Sequence, residues 1–411
     1  MRVEVINTGT ELLLGNVVNT HISYLGKTLF PLGLRVDRQV TVPDGSAIRD
    51  ALYDAFPRSD ILIVTGGLGP TTDDITREIV AELLGLSLKE DPWVIEAIRA
   101  RLDRRGIPYR ARIQRQAMVP TGATVLRNDN GTAPGLYLPA RSTPAWGAPH
   151  LFLLPGPPRE LKPMFEDYAL PILRDIIGTA SPDRECRLYH IVGIGESGVE
   201  ELVGLGLTER GDIEVGYCAR PNEVDLRLIA PPTILDEVEP LVREVLGSYI
   251  VSQSGQSLEE VVVGHLLEIQ QSVAVAESCT GGLLANRITN VPGASEIFPA
   301  GYVTYANEAK ERELGVPAEL LARVGAVSEE VASAMAEGVL RRAGTNFGIG
   351  ITGIAGPGGG STEKPVGTVY IALAQKGGVT ECLRETFPTD RETFKRLATQ
   401  AALDLLRRRL G

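Results

Sequence analysis

Residues 61–74 read Ile61-Leu-Ile-Val-Thr-Gly-Gly-Leu-Gly-Pro-Thr-Thr-Asp-Asp74, a short apolar run that stops at clustered glycines and gives way to acidic residues. A run of this length bounded by turn residues reads as a buried parallel strand that opens into a helix. The glycines, Gly66, Gly67 and Gly69, free backbone N–H groups to point at an anion, with Thr71 beside them. The helix start after them adds its partial positive charge. Asp73 and Asp74 fall where a carboxylate caps the helix or holds a divalent ion beside a phosphate. A plain helix cap over a tight turn is the other reading of the same residues.

Two more runs, 3–7 and 151–154, have the same character. The first is followed by Gly9-Thr-Glu-Leu-Leu-Leu-Gly15 and the second by Pro155-Gly-Pro-Pro-Arg-Glu160. Three glycine-containing turns would then gather at the carboxyl ends of parallel strands, where open α/β sheets bind ligands. The expected unit is a doubly wound α/β domain over residues 1–170, with Glu11, Arg159 and Lys162 near its ligand. The small-residue stretch 178–183 suits a linker. Beyond it, strands at 187–192 and 224–229 and helices at 196–204 and 234–246 predict a small α+β module over residues 180–250. A polar break at 252–257 precedes a third segment, residues 256–411. There strands at 272–276, 300–304, 347–352 and 367–374 alternate with helices, again an α/β pattern.

The chain has 411 residues, 43% of them hydrophobic and 23% charged, the composition of a globular protein with more than one core. Its formal charge of -11 repels a phosphate backbone, so nucleic acid is not an expected partner. Gly195-Glu-Ser-Gly198 fits the GxxG pattern of an RNA-clamping loop, but it carries an acid and no basic stripe surrounds it. A spacer or dimer-forming role suits that module better, and a homodimer is expected. The four cysteines are widely spaced, without the CxxC pattern of a zinc site or a disulfide framework. The N-terminus lacks the basic start and apolar run of a signal peptide, and no membrane span is expected. The expected compartment is cytoplasmic.

The third segment carries the clearest chemistry. Ala276-Glu-Ser-Cys-Thr-Gly-Gly282 ends a strand and opens a helix, presenting Ser278 where helix N–H groups would stabilise an oxyanion. A serine nucleophile needs a base, and Lys310 in Tyr302-Val-Thr-Tyr-Ala-Asn-Glu-Ala-Lys310 is the candidate, since a desolvated lysine gives up its proton readily. Tyr305 would relay or orient that proton. Cys279 is the rival nucleophile, ranked behind Ser278 because no His–Asn pair accompanies it. The loop Gly350-Ile-Thr-Gly-Ile-Ala-Gly-Pro-Gly-Gly-Gly360 would bind a ribose phosphate through its amides, with Thr352 supplying a hydroxyl. Thr280, Gly281, Gly282, Gly353 and Gly356 are the substrate-binding candidates.

The first-domain motifs resemble the molybdopterin-binding fold of molybdenum-cofactor biosynthesis proteins, departing from it at Leu68, where those enzymes usually have threonine. Thr65-Gly-Gly-Leu-Gly-Pro-Thr71, taken with Gly9 to His21, Glu277 to Gly282 and Lys364 to Thr368, resembles the CinA family of competence/damage-inducible proteins over nearly the whole chain. The resemblance implies a bifunctional pyridine-nucleotide recycling hydrolase. Its last domain would convert nicotinamide mononucleotide to nicotinic acid mononucleotide and ammonia, with Ser278 as nucleophile, Lys310 as base, Thr352 or Tyr305 assisting, and no cofactor. Its first domain would hydrolyse ADP-ribose with a divalent ion such as magnesium, held by Asp74, Asp73 and Glu11. The competing classes are a pterin-type cofactor-binding protein and a DNA-uptake partner.

Overall fold

The structure, a computed structural model, describes residues 1–108, 111–142, 147–178 and 184–411. They fall into two compact units, Met1–Arg184 and Glu185–Gly411. Of the expected linker at 178–183, residues 179–183 lie outside the described residues.

In the first unit, strands β1 (Val3–Thr8), β2 (Val36–Val42), β3 (Ile61–Thr65), β4 (Thr124–Leu126), β5 (Gly135–Leu138) and β6 (His150–Leu154) lie in the order β2-β1-β3-β6-β5-β4. The β1, β2, β3 and β6 strands are parallel, while β5 and β4 pair antiparallel at one edge. Every residue of β3 is buried because helices cover both faces. Ile61 and Ile63 pack against α1 (His21–Leu29) and the 158–177 helices. Leu62 and Val64 face α2 (Ala47–Ala55), α3 (Thr76–Leu83) and α4 (Pro92–Arg104). A strand sandwiched in this way has no polar face, so its sequence shows a continuous apolar run. The doubly wound class is as the sequence predicts. The antiparallel edge was not legible, since β4 and β5 are only three and four residues long.

The second unit opens with strands β7 (Glu185–Val192), β8 (Glu214–Arg220), β9 (Glu223–Ala230) and β10 (Ile250–Ser252), ordered β8-β9-β7-β10 with antiparallel pairing throughout. One helical stretch begins at Glu196 and another spans Pro232–Leu246, giving a βαββαβ order. This module is tied to the last segment of the chain. Val192 joins that segment's core, Gln400 donates to Glu223 at 2.6 Å, and Arg407 donates to the Ser248 carbonyl at 3.0 Å. The polar break at 252–257 ends in a capping box: Ser257 and Glu260 bond each other's backbone N–H at the start of helix α5 (Leu258–Glu268).

The remaining strands are β11 (Val273–Glu277), β12 (Gly301–Val303), β13 (Phe347–Gly353), β14 (Thr368–Gln375) and β15 (Glu381–Thr386), ordered β12-β11-β13-β14-β15. β12, β11 and β13 are parallel, and β14 and β15 add antiparallel. Helix α6 (Glu329–Ala343) lies so close to β13 that a Cβ on Gly350 would stand 2.3 Å from the Ala332 carbonyl oxygen and 2.7 Å from the Ala336 nitrogen. Gly350→Ala is therefore expected to destabilise by about 1–3 kcal/mol through overpacking. Gly264→Ala, with open space around it in α5, should stabilise by up to about 1 kcal/mol through helix propensity. Urea midpoints of the two variants check this pair, and equal shifts would contradict the packing argument.

Candidate active sites

Ser278 follows β11, and its backbone N–H donates to the Ile351 carbonyl at 2.9 Å, tying it to the end of β13. Lys310 comes from helix α7 (Asn307–Leu314), the helix after β12. Its Nζ stands 3.2 Å from Ser278 Oγ, 2.8 Å from the Thr304 carbonyl oxygen and 3.3 Å from that of Tyr305. Lys310 is 1% exposed, and no carboxylate bonds to it. Burial without an anionic partner pushes its pKa below the ordinary 10.5. A neutral amine has two N–H bonds and one lone pair. The two carbonyls can accept both N–H bonds, which leaves the lone pair for the Ser278 hydroxyl proton. Desolvation thus loosens the amine's hold on its proton, the direction that a general base requires.

Glu277 shapes the turn that presents Ser278. Its buried carboxylate accepts from the N–H groups of Gly282 at 3.0 Å, Leu284 at 3.1 Å and Ala285 at 2.8 Å, the first turn of helix α8 (Leu283–Thr289). The expectation that these helix N–H groups stabilise an oxyanion is therefore corrected, because Glu277 already occupies them. The backbone N–H groups of Cys279 and Thr280, nearer the nucleophile, donate to no acceptor among the described residues. Thr280 is fully buried, and its hydroxyl has no partner there either. Gly281 and Gly282 take φ of 63° and 93°, which L side chains rarely adopt, to turn the chain from nucleophile to helix. Cys279 is a poor nucleophile: burial pushes its thiol up to about 12, so it stays protonated near neutrality.

Tyr305 is also placed differently from expectation. Its carbonyl accepts from Lys310 at 3.3 Å, whereas the residue is 62% exposed and its hydroxyl accepts from Arg391 at 2.8 Å rather than meeting the amine. Thr352 is buried and donates to the Ala326 carbonyl at 2.8 Å, which positions the end of β13 beside Ser278 without reaching Lys310. Gly353 is held close to the Thr368 carbonyl, and Gly356 accepts from Arg391 at 2.8 Å. Arg391, the first residue of helix α9 (Arg391–Leu410), was missed in the sequence because it lies far from every motif. Lys395, one turn on, has its Nζ 3.7 Å from where a Gly281 Cβ would be. The two place cationic groups beside both glycine loops.

In the first unit, Thr8, Gly9, Glu11, Asp44, Gly66, Gly67, Leu68, Gly69, Asp73, Asp74, Gln116, Thr132, Gly156 and Glu160 line a cleft of about 380 Å³ at the carboxyl ends of β1, β3 and β6. The N–H groups of Gly67, Leu68 and Gly69 donate to no acceptor among the described residues. Gln116 is 1% exposed and its Oε1 has no partner there. Arg159 and Lys162 depart from expectation: Arg159 is largely exposed, and Lys162 lies over the Tyr24 ring at 5.4 Å, so neither lines the cleft. Thr71 is also outside the lining, and its N–H and hydroxyl hold the Asp74 carboxylate. The expected metal set is not assembled, since among the described residues no group of three or more His, Cys, Asp or Glu stands at metal-binding spacing. Asp44 and Gln116 were missed in the sequence because the fold brings them in from outside the glycine loops, and Glu160 was passed over within the Pro155–Glu160 turn.

The profile of the CinA C-terminal domain matches residues 255–410, and that of the damage-inducible protein CinA KH domain matches 186–251. A probable molybdopterin binding domain matches residues 4–175. A CinA-like protein of Akkermansia muciniphila is 49% identical over 403 residues, covering 98% of this chain and 96% of that protein. The chain belongs to the CinA family. A putative competence-damage inducible protein of Moorella thermoacetica is 46% identical, covering 100% of this CinA-family chain and 99% of its own length. The solved competence/damage inducible protein CihA from Agrobacterium tumefaciens is 40% identical, covering 36% of this chain and 91% of that one, with a TM-score of 0.36. No helix among the described residues is long and apolar enough to cross a membrane.

Lys310 holds its proton more weakly in the folded chain than in the unfolded one. The unfolded chain therefore binds more protons, and this group's contribution makes stability rise with pH between the folded value and 10.5. Lys310→Met should accordingly show its largest gain in Tm over wild type below the folded pKa. That gain should shrink as pH approaches 10.5. A Tm difference independent of pH would show that Lys310 is not desolvated in solution.

Proposed function

We propose that the last segment is an amidohydrolase that converts nicotinamide mononucleotide to nicotinic acid mononucleotide and ammonia. The observation that carries this reading is the buried lysine amine 3.2 Å from Ser278 Oγ, with the amine's other contacts made to carbonyl oxygens. Lys310 takes the serine proton as Oγ bonds to the carboxamide carbon, and the N–H groups of Cys279 and Thr280 receive the negative oxygen. The lysine ammonium then gives that proton to the departing nitrogen as the C–N bond breaks, releasing ammonia and leaving an acyl-serine. Water attacks the ester with Lys310 again as base, and the acid leaves as Oγ regains its proton. Arg391 and Lys395 supply the positive charge that a 5′-phosphate needs at this site.

Ser278→Ala and Lys310→Ala should each lower ammonia release from nicotinamide mononucleotide by several orders of magnitude, and the double variant should lose no more than either alone. Cys279→Ala should stay within a few-fold of wild type, and a chelator should have no effect. If Cys279→Ala is dead and Ser278→Ala active, the nucleophile is the neighbouring thiol.

For the first unit we propose hydrolysis of the ADP-ribose pyrophosphate. The unpaired amides of residues 67–69 supply donors for phosphate oxygens. Five carboxylates, Glu11, Asp44, Asp73, Asp74 and Glu160, line the same cleft, so an anionic substrate needs a cation to enter. A bound divalent ion would neutralise the phosphates and polarise the bond to be broken. Asp74→Asn should abolish metal-dependent release of AMP from ADP-ribose and leave deamidation untouched. An unchanged rate would remove Asp74 from the site. A pterin-type cofactor-binding role for this unit predicts no such release in any variant.

A further inference from the structure

Arg287 stands in the last turn of α8, the helix that begins just after the nucleophile turn, and its side chain is only 15% exposed. Its guanidinium reaches two other helices. It donates to the Glu259 carboxylate of α5 at 2.8 Å, to the Thr399 hydroxyl of α9 at 3.1 Å and to the Gln400 side-chain oxygen of α9 at 2.5 Å. Glu259 supplies the counter-charge, so the bonds to α9 join helices rather than satisfy a lone buried cation. Gln400 is itself buried, and its Nε2 donates to Glu223 at 2.6 Å, on β9 of the middle module. Arg220 donates to Glu223 at 3.1 Å and to Asp225 at 2.9 Å, which fixes the end of the β8–β9 hairpin from which Glu223 projects. A continuous chain of hydrogen bonds, several of them charge-assisted, therefore runs from the middle module through α9 to α8.

These bonds bear on the geometry of the proposed deamidase site. Arg391, Lys395 and Thr399 recur every four residues and so share one face of α9. Lys395 lies beside Gly281, before α8 begins, and Thr399 meets Arg287 near its end, so that face runs along the length of α8. Ser278 follows Glu277, whose carboxylate grips the first turn of α8. The separation between the nucleophile and the cations that would take a 5′-phosphate is thus set by how α9 sits on α8. Leu284, Ile288, Ala398 and Ala402 share one apolar core, but apolar burial is non-directional and does not choose a register. The Arg287 fork and the Gln400 amide are directional and do choose one.

We propose that Arg287 and Gln400 are positioning residues through which the middle module holds the cations of α9 at the distance from Ser278 that a pyridine mononucleotide spans. The proposal rests on reading the last segment as a deamidase and adds a role for the middle module in that site.

Nicotinamide riboside, which lacks the phosphate, separates positioning from general damage. Glu223→Ala removes the middle-module end of the chain at a partly exposed position and leaves α8 and α9 unaltered in sequence. It should raise KM for nicotinamide mononucleotide about tenfold with kcat within two-fold, and leave kcat/KM for the riboside within two-fold. Glu223→Gln, which keeps an acceptor oxygen for Gln400, should stay close to wild type. Gln400→Leu, which cuts both links, should show the same split with a larger rise in KM. A Glu223→Ala protein indistinguishable from wild type on the mononucleotide would overturn the proposal. Loss of mononucleotide and riboside turnover in equal proportion would overturn it too. A wild-type protein that releases no ammonia from either compound refutes instead the deamidase reading, and calorimetric affinities then carry the test. Glu223→Ala should weaken mononucleotide binding about tenfold and riboside binding not at all, and equal weakening of the two rules out the positioning role.

Discussion

A lysine amine buried without a counter-ion is the constraint on which the catalytic end of this protein depends. Placing an ammonium group in such surroundings is costly, and the fold offsets part of the cost by satisfying its N–H bonds with the carbonyls of Thr304 and Tyr305 while burial lowers its pKa. Those carbonyls lie in the turn between β12 and α7. The register of β12 on β11, which pairs Val303 with Glu277, sets that turn beside the nucleophile. The packing of α6 onto β13 through Gly350 fixes the strand whose Ile351 carbonyl holds Ser278. Lys310, Ser278 and the strands that carry them are therefore packed as one unit.

Glu277 shows how a second charge can be buried within the same turn without disturbing the first. Three backbone N–H groups stabilise its carboxylate, so its charge is satisfied locally and the helix start is rigid. In exchange, those N–H groups of the helix terminus are occupied, while the amides of Cys279 and Thr280 meet no acceptor among the described residues. The first unit solves a different problem with related means. The amides of its glycine loop meet no acceptor among the described residues, and five carboxylates from several parts of the fold line the same cleft.

The middle module carries a local pattern that agrees with its fold, since the CinA KH domain model matches residues 186–251. Gly195 to Gly198 has the spacing of a nucleic-acid clamp, yet Glu196, Glu200 and Glu201 crowd the helical turns it opens. The module's clearest physical ties are to the last segment, through Val192 in a shared core and through hydrogen bonds to α9. Residues 185–411 therefore form one compact unit, within which the KH and C-terminal domain models match separate stretches, 186–251 and 255–410.

The sequence by itself determined the α/β class, because buried parallel strands such as β3 and β13 have to be apolar throughout and have to end in turns that glycine permits. It also singled out Ser278 and Lys310, a serine after one strand and a lysine in the helix after the next, with the family resemblance supplying their roles. Only the tertiary structure decided what surrounds them. Whether Lys310 is neutral depends on which carbonyls its amine meets, and whether Tyr305 reaches it depends on Arg391, 86 residues away in the chain. The same holds for Asp44, Gln116 and Glu160, drawn into one cleft from separate loops. Strand register and helix packing place such residues, and those are properties of the folded chain that no short stretch of sequence contains.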